Sequence, residues 1–334
     1  MKEWKNRRVL VTGGAGFIGS ALVWALNKRG CQEIVIADFL GTSEKWRNLV
    51  PLRFDSYLEA DGLLSKLASG NLGKFDHILH MGACSSTTER NMEYLIHNNY
   101  EFTRELASWA QKNNARFVYA SSAATYGDGS LGMSDIDTDL GKLRPLNAYG
   151  YSKHLFDSFA DRRGLLSEIV GLKYFNIFGP NEGHKEEMRS LVNKSFSQIQ
   201  KSGVIRLFRS YRPDYADGEQ KRDFLYIKDA VEMTLHLAES DATGLYNIGG
   251  GEAHTWNELA GAVFAALGRT TNIAYIDMPS ELREKYQYFT QADIAKLRAT
   301  GYMSAITPLS EAVRDYVQNY LVTGRHLGDE TGTA

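Results

Sequence analysis

The stretch VTGGAGFIGS, residues 11–20, narrows the choice of fold more than any other in this chain. It spaces Gly13, Gly16 and Gly19 three apart, where the apolar run RVLVTG (8–13) gives way to the helical pattern FIGSALVWALNKRG (17–30). A glycine at such a turn tolerates backbone dihedrals closed to other residues. Another lets the backbone approach a pyrophosphate, whose charge the helix N-terminus stabilises. The strand–turn–helix setting points to a dinucleotide loop. A purely structural turn between packed elements is the alternative.

The pattern continues in the same style. EIVIAD (33–38), HILHMGA (77–83) and RFVYASS (116–122) read as buried strands, and EIVGLKYFNIFG (168–179) as a strand running into a loop. Helical patterns lie between them, near 92–113 and at 149–163. Short apolar strands alternating with helices predict an α/β fold, a Rossmann-type doubly wound parallel sheet. After Gly179 the pattern loosens into a helix near 187–202, IRLF (205–208), a strand and helix over 223–240, and LYNIGGG (245–251). A helix at 255–268, NIAYIDM (272–278) and two further helical patterns follow.

We expect a nucleotide-binding Rossmann domain over 1–180 with a returning segment about 223–255. A smaller α/β substrate-binding domain then takes 181–222 and 256–325, and the polar tail 326–334 is expected to be disordered. No Pro/Ser-rich spacer marks residue 180, so the two parts share an interface with the substrate between them.

Charge excludes some functions. Lys+Arg 38 against Asp+Glu 40 gives a net charge of -2, so no bulk attraction to nucleic acid or membrane is expected. Two cysteines, Cys31 and Cys84, far apart in sequence, suit a reduced cytoplasmic protein and not a disulfide scaffold. No stretch approaches the roughly 18 apolar residues of a membrane helix. The start MKEWKNRR is polar and is not a secretory signal.

Asp38 ends the second strand, where an acid accepts from a ribose 2′-OH and argues for NAD. Lys45 and Arg47 follow in TSEKWR (42–47), as a 2′-phosphate would require. These residues alone leave NAD and NADP open.

LNAYGYSK (146–153) sets Tyr149 four residues before Lys153, on one helix face. The ammonium is expected to stabilise a phenolate and lower the tyrosine pKa. Lys153 could also hold a nicotinamide ribose. Tyr151 faces nearly the other way and is expected to pack. YASSAATYG (119–127) offers Ser121 and Ser122 at the carboxyl end of a strand, where parallel-sheet ligands sit.

Glycine loop, Ser, Tyr and Lys in this order resemble the extended short-chain dehydrogenase/reductase superfamily. The resemblance makes Ser122, Tyr149 and Lys153 the catalytic group. Ser122 matches because it lies five residues before Gly127. Dehydratases of this superfamily carry an acidic pair at the positions of Ala123 and Ala124, so dehydration is not expected.

Further motifs, from GACSSTTE (82–89), NNY (98–100) and PLNAYGYSK to YFNIFGPNEGHK (174–185), KRDF (221–224) and YQYFTQAD (286–293), resemble the ADP-L-glycero-D-manno-heptose 6-epimerase family over nearly the whole chain. That resemblance implies an isomerase acting on ADP-heptose in lipopolysaccharide core synthesis. It also implies NADP as cofactor, with Lys45 at the 2′-phosphate, and a homo-oligomer. By the same match Gly13, Gly16, Phe17, Ile18, Gly19, Asp38, Phe39, Met81, Gly82, Ala83, Cys84, Ser85, Asn98, Lys153, Ile177 and Lys185 contact the cofactor. Ser86, Asn176, Lys194, Phe208, Arg209, Ser210, Arg222 and Tyr286 contact substrate, with Arg222 at the diphosphate and Tyr286 closing over the sugar nucleotide.

The chemistry explains the list. Direct proton removal from an unactivated carbinol is prohibitive, whereas hydride transfer to a nicotinamide leaves a planar 6-ketone. Hydride then returns to its other face, with no net redox. The oxygen occupies two positions, which one tyrosine fixed on a helix cannot both serve. The resemblance makes Lys185 the second acid/base, and a partly desolvated lysine can act so. His184 is expected to be structural.

Two departures stand out. RSYRPDYADGEQ (209–220) is longer than the family's stretch, and Glu186 and Glu187 beside Lys185 would hold it charged unless they point to solvent. The alternatives are a nucleotide-hexose 4-epimerase on the same fold and a non-catalytic dinucleotide sensor.

Overall fold

The computed structural model describes residues 4–329 apart from 137, 284 and 285, and leaves the side chain of 281 aside. Seven strands form the main sheet: β1 (Arg8–Thr12), β2 (Glu33–Asp38), β3 (Ser56–Glu59), β4 (His77–His80), β5 (Arg116–Ser122), β6 (Val170–Tyr174) and β7 (Gly244–Ile248). Their spatial order is β7-β6-β5-β4-β1-β2-β3, and every pair is parallel. The order reverses at β1, so the loops after β1 and β4 open a crevice at the carboxyl ends of the strands.

Alternation feeds two cores. On β1, Val9 and Val11 point to one side of the sheet and Leu10 to the other; on β2, Ile34 and Ile36 oppose Val35 and Ala37. The first side is covered by α1 (Phe17–Lys28) and, later in the chain, by the helix Ile227–Glu239. The second is covered by α2 (Leu63–Ala68), by α3, a helical rod over 92–112, and by α4 (Ala148–Arg162). With both faces covered, the strands carry continuous apolar runs, which is why the sequence shows them so plainly.

Beyond β6 the chain builds a smaller unit. α5 (Leu191–Ser202) precedes the strand Ile205–Phe208, which pairs in parallel with Ile273–Ile276. α6 (Ile227–Glu239) leads back into β7, and α7 (Trp256–Ala266) starts at a capping box made by Thr255 and Glu258. α8 (Leu309–Tyr316) packs against α7.

The structure corrects several expectations. The run 168–179 is two strands, because the chain leaves the main sheet at Phe175, whose N–H makes a last bond to Ile248, 3.0 Å. Asn176–Phe178 pairs instead with Phe224–Tyr226. The strand predicted at 77–83 stops at His80, where the backbone turns toward the glycine loop. β3 and α2 gave no clear signal, since β3 is a half-exposed edge strand of four residues.

The tail is the largest correction. Leu327 is 0% exposed, its N–H donates to Asn181 Oδ1 at 3.0 Å, and His326 Nδ1 lies 3.0 Å from Asn48 Oδ1. The chain end therefore packs as far as it is described, and 330–334 lie outside the described residues. Leu327→Ala should lower unfolding stability by about 3 kcal/mol, the cost of a buried leucine cavity. A denaturant midpoint unchanged from wild type would show that the tail is not part of the fold.

Candidate active site

At the carboxyl end of β1 the backbone packs on backbone. Gly13 has φ 66, and a Cβ there would lie 2.6 Å from the Gly82 nitrogen. A Cβ on Gly19 would lie 2.0 Å from the Gly13 carbonyl oxygen, so α1 can seat against the turn only without a side chain at that position. Gly16 occupies the N-cap and offers no side-chain oxygen to the first turn of α1. The amides at Phe17 and Ile18 are thus left for an anion, as a pyrophosphate loop requires.

Asp38 closes the next strand and is buried. Its carboxylate accepts from Ala15 N at 2.9 Å, Phe39 N at 2.7 Å and Lys45 Nζ at 2.7 Å. Sequence reasoning treated Asp38 and Lys45 as competing signals, and the structure joins them as one ion pair beside the glycine loop.

Ser122, Tyr149 and Lys153 come together over β5. Ser122 is buried at the strand's end and its Oγ accepts from Ala124 N at 3.1 Å. Asn147 caps α4 by accepting from Gly150 N at 2.7 Å, which starts the helix one residue before Tyr149. One turn later Lys153 is buried and donates from Nζ to the Ala120 carbonyl at 2.8 Å. Burial pushes Lys153 down to about 8, against the pull of Asp157. The expected depression of the tyrosine is not what the structure has. Burial raises Tyr149 above the ordinary phenol value, and the Ser122 hydroxyl offsets this only in part. Desolvation, with Cys84 and Asp157 adding to it, outweighs the Ser122 hydroxyl, so Tyr149 holds its proton more tightly than a free phenol. Tyr151 is 47% exposed, so it turns away as expected but does not pack.

Lys185 lies in the short helical turn Gly183–Met188, and its ammonium sits over the Phe17 ring at 5.2 Å from the centroid. The chain thus places it above the N-terminus of α1. Burial lowers its pKa, and buried Glu182 opposes. Glu186 and Glu187 are exposed, and Glu187 pairs with Lys194 at 3.4 Å, so the feared acidic neighbours face away. His184 is held neutral by burial, at about 4, and lies 3.3 Å from Asn48 Nδ2.

On the far side Arg222 is 6% exposed and has no carboxylate partner among the described residues. It donates to the Lys221 and Gln287 carbonyls and lies against the rings of Trp256 and Tyr286, 5.7 and 5.0 Å from their centroids. Trp256 Nε1 donates to the Tyr286 hydroxyl at 2.8 Å. A buried, unpaired guanidinium against aromatic faces is a seat for an anion. Arg209 and Ser210 follow Phe208 at a strand end, both tied to Asp217. In the long 209–220 stretch, Arg212 lies over Tyr215 and Tyr288. Thr290 Oγ1 donates to Asn176 at 3.4 Å, and Ser86 lies 3.0 Å from Thr88.

Comparison with known proteins agrees with this geometry. The model of the NAD dependent epimerase/dehydratase family matches residues 9–249. The chain belongs to that family. Curated relatives include ADP-L-glycero-D-manno-heptose-6-epimerase of Nitratidesulfovibrio vulgaris, 52% identical over 93% of this chain and 97% of that protein. The protein of that name from Fusobacterium nucleatum is 42% identical over 94% and 98%. The crystal structure of Helicobacter pylori ADP-L-glycero-D-manno-heptose-6-epimerase superposes with a TM-score of 0.80 at 28% identity, covering 95% of this chain and 97% of that one.

Within this member of the epimerase/dehydratase family, sequence reasoning passed over Asn99. It named Asn98, which is half-exposed and bonded to the Tyr94 carbonyl at 2.8 Å. Asn99 is buried, accepts from Cys84 N at 2.9 Å, and donates to the Cys84 carbonyl and to Ser152 Oγ at 2.9 and 3.0 Å. It thereby ties the loop 81–85 to α4. The adjacent asparagines in NNY cannot be told apart until the rod α3 fixes which one faces inward. Asn99→Leu strands the polar backbone of Cys84 and should cost about 2 kcal/mol. It should also speed cofactor loss, read as the dissociation rate of bound dinucleotide. A wild-type rate would remove Asn99 from the site.

Proposed function

We propose that this chain interconverts ADP-D-glycero-D-manno-heptose and ADP-L-glycero-D-manno-heptose at C6, using a tightly held nicotinamide dinucleotide as a transient hydride acceptor. One observation carries the reading. Two groups able to move protons approach the crevice from different elements, Tyr149 on α4 and Lys185 on the loop over α1. A ketone whose oxygen must be served in two orientations needs such a pair. The Ser122 hydroxyl would hold the reacting oxygen in one of them. Lys153 would hold the nicotinamide ribose and keep positive charge behind Tyr149. When bound, the oxidised cofactor supplies the hydride-accepting ring and more positive charge beside the phenol.

In this reading Arg222 takes the diphosphate of the sugar nucleotide, with Tyr286 over it. Phe208, Arg209 and Ser210 line the approach to the base, and the smaller unit, 181–222 with 256–325, forms the substrate side. Ala123 and Ala124, in the turn after β5, offer no carboxylate to remove a proton beside a ketone, which supports epimerisation over dehydration.

Tyr149→Phe and Lys185→Met should each reduce turnover of ADP-heptose by about 10²- to 10⁴-fold, the range for loss of a general acid/base. Bound cofactor should remain, and Tyr151→Phe should stay near wild type. Substrate deuterated at C6 should keep its label through epimerisation in ordinary water. Wash-out of the label, or turnover of UDP-galactose in place of ADP-heptose, would overturn the reading.

We further propose NADP as the resident cofactor. Lys45 neutralises Asp38, whose bare charge would repel a 2′-phosphate, and an ammonium has two more N–H donors to offer. Cofactor released from purified protein should be NADP. Lys45→Ala should shift the retained dinucleotide toward NAD by about tenfold, the worth of one charge-assisted contact. Recovery of NAD alone from wild type would refute this.

A further inference from the structure

Beneath the catalytic group lies an ion pair that the reaction as drawn does not use. Lys173, on β6, and Asp157, on α4, are 2.8 Å apart and 1% and 0% exposed at their side chains. Such a pair adds little to stability, since apolar residues of the same volume serve as well or better. Its bonds suggest what it does. Asp157 Oδ1 accepts from the Tyr119 hydroxyl at 2.8 Å, and Oδ2 accepts from Ser121 Oγ at 2.7 Å and Lys173 Nζ at 2.8 Å. Lys173 Nζ also donates to Thr125 Oγ1 at 2.6 Å, and the Thr125 hydroxyl donates to the Ser122 carbonyl at 2.8 Å. Three of its members stand one step from a catalytic group. Ser121 precedes Ser122, Thr125 holds the Ser122 peptide, and Asp157 lies one helical turn after Lys153.

We propose that Asp157, with Lys173 as its charge partner, is a positioning residue that fastens the end of β5 to α4, fixes Ser122 against Tyr149 and Lys153, and sets the pH range in which they work. This rests on the reading that those three residues carry the proton chemistry.

The electrostatics follow from the surroundings. Lys153 and Tyr149 are faced by Asp157 from α4, by Cys84 from the loop after β4, and by the Ser122 hydroxyl and Ala120 carbonyl from β5. Lys173 stands behind Asp157 on β6, and His80 on β4 is held neutral by burial, at about 3. A negative charge favours the protonated form of any neighbour. Asp157 accordingly raises both Lys153 and Tyr149. Removing it lowers both. Tyr149 then becomes a base at lower pH, and Lys153 loses its proton at lower pH, so both limbs of the pH profile move in the acid direction.

The test is the pH profile of kcat for the holoenzyme, from about pH 5 to about pH 10, the span of such limbs. Asp157→Asn should move both limbs acidward by about one pH unit, the size of one nearby charge. If that variant does not fold, because Lys173 is left uncompensated, Asp157→Asn with Lys173→Met removes both charges and should still move the profile acidward. Thr125→Val cuts the link to the Ser122 carbonyl and removes one acceptor from Lys173, but leaves both charges of the pair in place. It should lower kcat about tenfold with KM, cofactor content and profile position unchanged, as a small misplacement of a catalytic group does. A folded charge variant whose profile superimposes on wild type overturns the proposal, as does a wild-type kcat in Thr125→Val. Tyr149→Phe, measured alongside, separates the two ideas. If it stays active, the reading of the catalytic group is what fails.

Discussion

The contact of backbone on backbone at Gly13 is the constraint on which the rest depends. Gly13 meets Gly82 across the sheet and Gly19 along its own chain, with no room for a Cβ at Gly13 or Gly19. That contact brings the loops after β1 and β4 together and aims the uncapped N-terminus of α1 into the crevice. Lys185 is held over the same helix end, and Asn99 holds the second loop to α4, which carries Tyr149 and Lys153. A side chain at Gly13 would separate these pieces together.

Burial shapes the chemistry more than pairing does. Tyr149 is raised, and Lys153 and Lys185 are lowered, each chiefly by removal from water. Each lysine has a buried carboxylate that opposes the effect, Asp157 for Lys153 and Glu182 for Lys185. The two lysines are thus built alike on unrelated elements. Glu182 is anchored by Ser190, whose N–H and hydroxyl it accepts at 2.6 and 2.5 Å, much as Asp157 is anchored by Ser121.

The main sheet was legible because both its faces are covered, so its strands are nearly pure apolar runs and their helices carry one apolar stripe. The edge strand Ser56–Glu59 and the packed end around Leu327 were not legible. Their burial depends on what lies beside them and leaves no period in the sequence. The same holds within the site. Tyr149 and Lys153 could be paired from helical spacing alone, and Arg222 could be nominated only by family resemblance. That Arg222 is buried without a counter-charge among the described residues is visible only in three dimensions.

By itself the sequence determined the doubly wound sheet, the dinucleotide loop, the Ser–Tyr–Lys group and the family, because each is carried by residues close in the chain or at a fixed period. Only the tertiary structure decided that Asp38 and Lys45 act as one pair, that Tyr149 is raised and not lowered, that Asn99 ties the loop 81–85 to α4, and that Asp157 and Lys173 pair beneath Ser122, Tyr149 and Lys153. The reason is physical. Desolvation and charge pairing depend on distances between elements far apart in the chain, and those distances exist only once the elements pack.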